Sequence, residues 1–230
     1  MVTGNGMIAK KFQDYLHDDN VLIFASGVSN SAASNQADFS REKKLLSSTI
    51  SSNKNKLLVY FSTCSIYDEA MKNSTYVEHK LSMEELIIKE QPHYIIFRVS
   101  NPIGKTDNSH TFLNFFIRHI KSKTIFPVWK NAYRNILDID DMYCVCSFII
   151  QNRLYLNSIV NIANITNYKI TGIISIIEDH FNTKGVYELI NKGSEPVIDT
   201  LAIQPLYKEL NISFADNYLL KILNKYFPKQ

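Results

Sequence analysis

Apolar residues run almost without interruption through "VLIFAS" (21–26), "KLLVYFST" (56–63) and "YIIFRVS" (94–100), the pattern of strands covered on both faces. Between them, "SREKKLLSSTISS" (40–52) and "STYVEHKLSMEELIIKE" (74–90) place apolar residues three and four apart, as amphipathic helices do, and Gln91-Pro92 stops the second. A helix-like run, "KKFQDYL", follows "VTGNGMIA" near the start. Strands alternating with helices predict an α/β fold with a parallel sheet. After about residue 105 the pattern changes. "TFLNFFIRHIKS" (111–122), "MYCVCSFIIQN" (142–152) and "ADNYLLKILNKYF" (215–227) read as helices, "IFPVW" and "NILDIDD" as short strand or loop pieces, and "NTKGVYELINKGSEPVIDT" as a mixed segment. The predicted organisation is a core over 1–104, with strand and helix contributions from about 136–165, beside a small lobe from 105–135 and 166–230.

Composition leaves that picture in place. Of 230 residues, 45% are hydrophobic and 20% charged, a globular rather than disordered balance. The net charge is +3, mostly from scattered lysines, and no basic block is interleaved with stacking aromatics, so nothing points to nucleic acid. The three cysteines, Cys64, Cys144 and Cys146, cannot all pair and lack metal-ligand spacing with histidine, so neither a disulfide framework nor a metal site is expected. The apolar runs near 57–61, 147–150 and 170–177 are too short to span a bilayer, and no apolar signal region is seen, so a cytoplasmic protein is expected.

Two stretches carry candidate chemistry. In "VTGNGMIA", Gly4 and Gly6 permit a tight turn and close approach to a pyrophosphate, Ala9 allows close helix packing, and a helix from about Met7 would point N–H groups at the phosphates. In "YFSTCSIYDEAMKNSTYVEHK", Tyr76 and Lys80 stand four apart on one helical face. An ammonium beside a phenol favours its anion and makes it a usable proton donor and acceptor, while Ser62 and Thr63 at a strand end can hold a substrate oxygen. Taken singly, such a Tyr and Lys also suit a packed ring and a solvated charge.

The ordered set is more specific. The glycine loop, "FASGVS", "VYFSTCSIY", "YVEHK", "FRVSNPIG", "YRNILDIDD" and "VIDTLAIQPLYKELNISF" resemble the extended short-chain dehydrogenase/reductase family, the NAD-dependent nucleotide-sugar epimerases, dehydratases and reductases. That resemblance implies a Rossmann-like, doubly wound parallel sheet with a small C-terminal substrate-binding lobe. It implies Thr63, Tyr76 and Lys80 as catalytic residues. NAD or NADP would be held by Gly4, Asn5, Gly6, Met7, Ile8, Ala25, Ser26, Gly27, Ser62, Tyr76, Lys80, Pro102 and Ile103, with Pro102 and Ile103 against the nicotinamide. Within an Arg98, Asn101, Gly104 motif, Asn101 would lie near the diphosphate or sugar of a nucleotide-sugar substrate; Arg134 would grip the diphosphate, and Cys64 and Ser65 would border the substrate. Asn101 also suits a turn cap, Arg134 a surface pair with Asp138, Asp140 or Asp141, and Cys64 either a reactive thiol or a small filler.

Departures narrow the reading. Cys64-Ser65 stands where dehydratases of that family carry Asp-Glu, which argues against a 4,6-dehydratase, and the short span from Thr63 to Tyr76 resembles sugar-nucleotide reductases. The family's helical asparagine has no match near Ser40. If "VLIFAS" is the family's fourth strand, the second and third are absent, and with them the residue that reads the adenosine ribose; Asp18 and Asp19 are poor substitutes, so NAD and NADP are not distinguished. The resemblance thus implies a shortened oxidoreductase acting on a nucleotide-activated sugar, a 4-keto-sugar reductase or epimerase of cell-surface polysaccharide or deoxysugar biosynthesis. The alternative is a non-catalytic or cofactor-sensing relative that has lost tight dinucleotide binding. The family's use of two helices, here about 40–52 and 74–90, implies a homodimer.

Overall fold

The structure is a computed structural model that describes residues 1–29, 35–106 and 111–229. In chain order its elements begin with β1 (Val2–Thr3), α1 (Met7–Lys11), β2 (Val21–Phe24), α2 (Gln36–Ser52), β3 (Leu57–Thr63), α3 (Thr75–Glu90), β4 (Tyr94–Val99) and β5 (Pro102–Ile103). There follow α4 (Phe112–Ser122), β6 (Phe126–Trp129), β7 (Tyr133–Asn135), β8 (Leu137–Asp138), α5 (Ile139–Gln151) and β9 (Ser158–Ile162). The chain continues through β10 (Asn167–Lys169), α6 (Ile170–Phe181), β11 (Tyr187–Ile190), α7 (Gln204–Glu209) and α8 (Tyr218–Tyr226).

The five-stranded sheet has the order β1-β2-β3-β4-β9, and every neighbouring pair is parallel. Alternation of side chains along the strands assigns its two faces. Val21, Ile23, Val59, Phe61, Ile95 and Phe97 meet α5, through Met142, Val145 and Ile149, on one face. Leu22, Phe24, Leu58, Tyr60 and Ile96 meet Leu46 and Ile50 of α2 and Met83 and Ile87 of α3 on the other. Both faces are therefore covered, which is why all seven residues of β3 are buried and why the strands read as continuous apolar runs. The arrangement is the Rossmann-like, doubly wound sheet expected. It is also shortened, since β1 lies directly beside β2 and forms the edge among the described residues.

A further apolar core joins Leu113, Phe116 and Ile120 of α4, Ile173, Ile174 and Ile177 of α6, and Leu219, Ile222 and Leu223 of α8. Side chains fix several helix starts: Asn35 accepts from the Ala37 N–H at 3.0 Å, and Ser74 from the Val77 N–H at 3.3 Å. Asp138 accepts from the Asp140 N–H at 2.9 Å, and this cap corrects the expectation for "NILDIDD", whose acidic end opens α5 three residues before the apolar pattern does. Likewise α2 starts at Gln36 rather than 40, and α8 at Tyr218 rather than 215. The run at 170–177, to which the pattern assigned no element, is part of α6, and among the described residues no helix is long and apolar enough to cross a membrane.

Candidate active site

The C-terminal ends of β2, β3 and β4 open into one cleft of about 520 Å³, the place where parallel α/β sheets bind ligands. Every cofactor and substrate residue predicted from the sequence lines it except Gly4. Asn5, Gly6, Met7 and Ile8 form one wall; Ala25, Ser26 and Gly27 continue from β2; Ser62, Thr63, Cys64 and Ser65 follow β3; Asn101, Pro102 and Ile103 follow β4; and Tyr76, Lys80 and Arg134 project from α3 and β7. Gly4 lies behind the wall. Its φ of +127° suits glycine, and a Cβ there would meet the Ala25 carbonyl oxygen at 2.4 Å, so it shapes the turn by letting β1 and β2 close up. Gly6 differs: no atom lies within 4 Å of where its Cβ would stand, so its bare backbone faces open cleft. That is the cradle a pyrophosphate needs, and the residues present fit a dinucleotide at this loop.

Thr63 at the end of β3 and Tyr76 in the first turn of α3 line the same cleft, and the Thr63 hydroxyl acts to lower the pKa of the Tyr76 phenol. The Thr63 hydroxyl also accepts from the Ser65 N–H at 3.0 Å and donates to the Ser65 hydroxyl at 2.9 Å, which fixes its direction at the end of β3. Ser62 does not share this duty. Although it borders the cleft, its hydroxyl donates to the buried carboxylate of Glu84, itself held by Arg98 at 2.6 and 3.0 Å, whereas the acceptor of Thr63 is the Ser65 hydroxyl, which itself lines the cleft, so of the two Thr63 is the hydroxyl that can turn to a substrate oxygen. Arg98 thus serves a buried ion pair beneath the cleft.

Lys80 corrects a second expectation. Its ammonium, 2% exposed, lies 3.3 Å from Glu42 of α2 and 4.4 Å from the centre of the Tyr60 ring. Tyr76 is pushed up to about 12 by burial, with the Thr63 hydrogen bond opposing the rise and the Glu42 charge adding to it, so here its phenol stays protonated rather than being drawn down by the lysine. Burial lowers the Lys80 pKa, and Glu42 works against that fall. Cys64 is buried, its thiol donates to the Arg98 carbonyl at 3.1 Å, and burial raises its pKa, so it is an inert filler rather than a reactive thiol.

At the mouth, Arg134 pairs with Asp68 at 3.2 Å and not with the acidic cluster at the junction of β8 and α5, where Asp138 and Asp140 engage Lys225 at 2.8 and 2.6 Å and Asp141 accepts from Tyr218. Asn101 lines the cleft while donating to the Asn135 carbonyl at 2.8 Å. Sequence reasoning missed Glu42 and Asp68, each of which meets a predicted cation. A polar setting hides both, and only the fold brings Lys80 and Arg134 to them.

A sequence-family model described as the NAD dependent epimerase/dehydratase family matches residues 1–163. The chain belongs to that family. No curated protein matches it by sequence. Its fold resembles UDP-glucuronic acid 4-epimerase from Bacillus cereus, solved with UDP-glucuronic acid and NAD, at a TM-score of 0.73 and 17% identity, covering 97% of this chain and 78% of that one. dTDP-glucose 4,6-dehydratase from Bacillus anthracis, in complex with NAD, gives a TM-score of 0.69 at 13% identity, covering 94% and 76%. UDP-glucose 4-epimerase from Thermus thermophilus, in complex with NAD, gives 0.68 at 12%, covering 94% and 79%. At these identities the likeness speaks for the fold, and this family member is shortened relative to each of them.

Proposed function

We propose that the chain binds NAD or NADP in this cleft and carries out oxidation and reduction at a carbon of a nucleotide-activated sugar, as a 4-keto-sugar reductase or an epimerase working through a keto intermediate. The observation that carries this reading is that Thr63 at a strand end, Tyr76 and the buried Lys80 line one cleft together with the glycine loop. When bound, a nicotinamide supplies hydride exchange with the sugar carbon. The protein's own residues do the rest. Thr63 turns its hydroxyl proton from the Ser65 hydroxyl to the carbonyl oxygen and holds that oxygen within reach of Tyr76, whose protonated phenol passes its proton to it as the alcohol forms. Lys80 presents positive charge below, where a ribose hydroxyl and the developing phenolate can use it. Asn5 and Gly6 receive the dinucleotide pyrophosphate, Pro102 and Ile103 bound the nicotinamide side, and Arg134 exchanges Asp68 for the sugar nucleotide's diphosphate, a ligand suited to its planar, charged fork.

Water elimination finds no support in the residues after Thr63: neither the buried Cys64 nor Ser65 can act as a carboxylic acid and base pair. The chemistry suits a soluble enzyme of surface-polysaccharide or deoxysugar synthesis, dimeric through α2 and α3. One observation favours a second reading, a relative that has lost tight dinucleotide binding: β1 forms the edge of the sheet, with no strand paired beyond it among the described residues. Calorimetric titration with NADH and NADPH, followed by assay against a panel of 4-keto-sugar nucleotides and epimerisable sugar nucleotides, separates the two. Micromolar binding with NAD(P)H consumption or epimer exchange is the expected result. Absence of both binding and turnover supports the second reading.

A further inference from the structure

Glu42 lies in a charged stretch of α2 whose neighbours Arg41, Lys43 and Lys44 are exposed, yet it is 0% exposed itself. Four donors converge on its carboxylate: the Val28 N–H at 2.7 Å, the Tyr60 hydroxyl at 2.6 Å, the His79 ring at 3.0 Å and the Lys80 ammonium at 3.3 Å. His79 is held in place by stacking on Phe39, ring centres 4.5 Å apart. The pair also shapes the wall of the cleft. A Cβ on Gly27 would meet the Lys80 ammonium at 2.9 Å and a Glu42 oxygen at 3.0 Å, so the chain after β2 is bare where it packs directly on the buried ion pair.

A carboxylate so completely satisfied does more than neutralise a charge, because its four donors come from the loop after β2, from β3 and from α3 and so fix its oxygens against three parts of the fold. We propose that Glu42 is a positioning residue of the reaction centre, holding the Lys80 ammonium charged and at a set point on the cleft floor. This rests on the proposed role of Lys80 in redox chemistry at a sugar carbon. Without a counter-charge, an ammonium buried this deeply gives up its proton to escape desolvation. The groups acting on Lys80 are Glu42 from α2, Tyr60 from β3 and Glu84 from its own helix, with His79 on the same Glu42 carboxylate; of these, Glu42 is the carboxylate within hydrogen-bonding reach. Glu42 itself is held down at about 2: burial pushes it up, and the His79, Lys80, Tyr60 and Val28 donors outweigh that.

The test is nuclear magnetic resonance of the full chain labelled at lysine and glutamate side chains, joined to the pH dependence of dinucleotide binding and turnover. In the wild type, the Glu42 carboxyl carbon should show no titration between pH 7 and the ordinary carboxylate range. In Glu42→Gln, Lys80 should lose its proton at lower pH than in the wild type, with the alkaline limb of binding and turnover moving the same way. Glu42→Asp, which keeps the charge, should return the lysine titration toward the wild-type position. A Glu42 carboxyl that titrates normally in the wild type overturns the proposal, and that measurement stands even where a variant fails to fold. So does an unchanged Lys80 titration or pH profile in Glu42→Gln. A wild type that binds no dinucleotide removes the proposed function, and the role of Glu42 in it, whatever the lysine does; binding with an unchanged pH profile in the variant removes the Glu42 role alone.

Discussion

At the α3 end of the cleft, Lys80, Glu42, Tyr60 and Tyr76 are 2%, 0%, 0% and 7% exposed and each is engaged by its neighbours. At the β1 end, a two-residue strand forms the sheet edge, Gly6 faces open space, and Arg41 is exposed and reaches Ser26 at 3.3 and 3.4 Å. The first end is preorganised: its hydrogen bonds are made in a low-dielectric setting, and little remains to be ordered when a substrate arrives. The second is open and is shaped by backbone at Gly4 and Gly6. The open sheet edge falls on the side proposed to grip the dinucleotide, and the buried, fully engaged end is the side proposed to move the proton. Affinity and chemistry should be separable in this protein to a degree that a full-length sheet would not allow.

The largest effect that sharpens this contrast is Lys80→Met. It leaves Glu42 buried beside His79 and Tyr60 without its lysine, and removal of one partner of a buried pair costs about 3–5 kcal/mol, read as a lower denaturation midpoint in urea. At the open end, Gly4→Ala should cost about 1–3 kcal/mol, because the left-handed φ and the Ala25 carbonyl both oppose a side chain. The smallest effect on folding is Gly6→Ala, whose φ of −74° suits alanine; stability should stay within about 0.5 kcal/mol. With the proposed pyrophosphate at this loop, the added methyl carries an overpacking cost of about 1–3 kcal/mol and lowers dinucleotide affinity about five- to 150-fold by calorimetry. Equal loss of stability in the two glycine variants would remove the distinction between a residue that shapes the turn and one that faces the ligand.

Much of the buried end was legible in the sequence, for reasons that particular residues make plain. The runs at 21–26, 56–63 and 94–100 are apolar on both faces because helices cover both faces of β2, β3 and β4. Tyr76 and Lys80 share a helix face by spacing alone, and Thr63 ends a strand that the same pattern predicts. Glu42 was not legible. Set between Arg41 and Lys43, it reads as part of a solvated face, and its partner lies 38 residues away, so only the packing of α2 against α3 reveals a buried carboxylate. Asp68 was hidden in the same way, 66 residues from Arg134. α6 escaped because isoleucines crowd its start and blur the helical period, while its buried face, Ile170, Ile173, Ile174 and Ile177, is clear once the lobe's core is seen.

Transfer of label from C4-deuterated NADH or NADPH into a 4-keto-sugar nucleotide, followed by mass spectrometry for the wild type and Tyr76→Phe, tests the role proposed for the buried end directly. Deuterium should enter the sugar in the wild type, and the rate should fall about 100- to 10,000-fold in Tyr76→Phe, the range for loss of a general acid, with the fold intact. A folded wild type that leaves every substrate unlabelled, or a Tyr76→Phe variant that labels as fast as the wild type, would show that the buried end does not perform this chemistry.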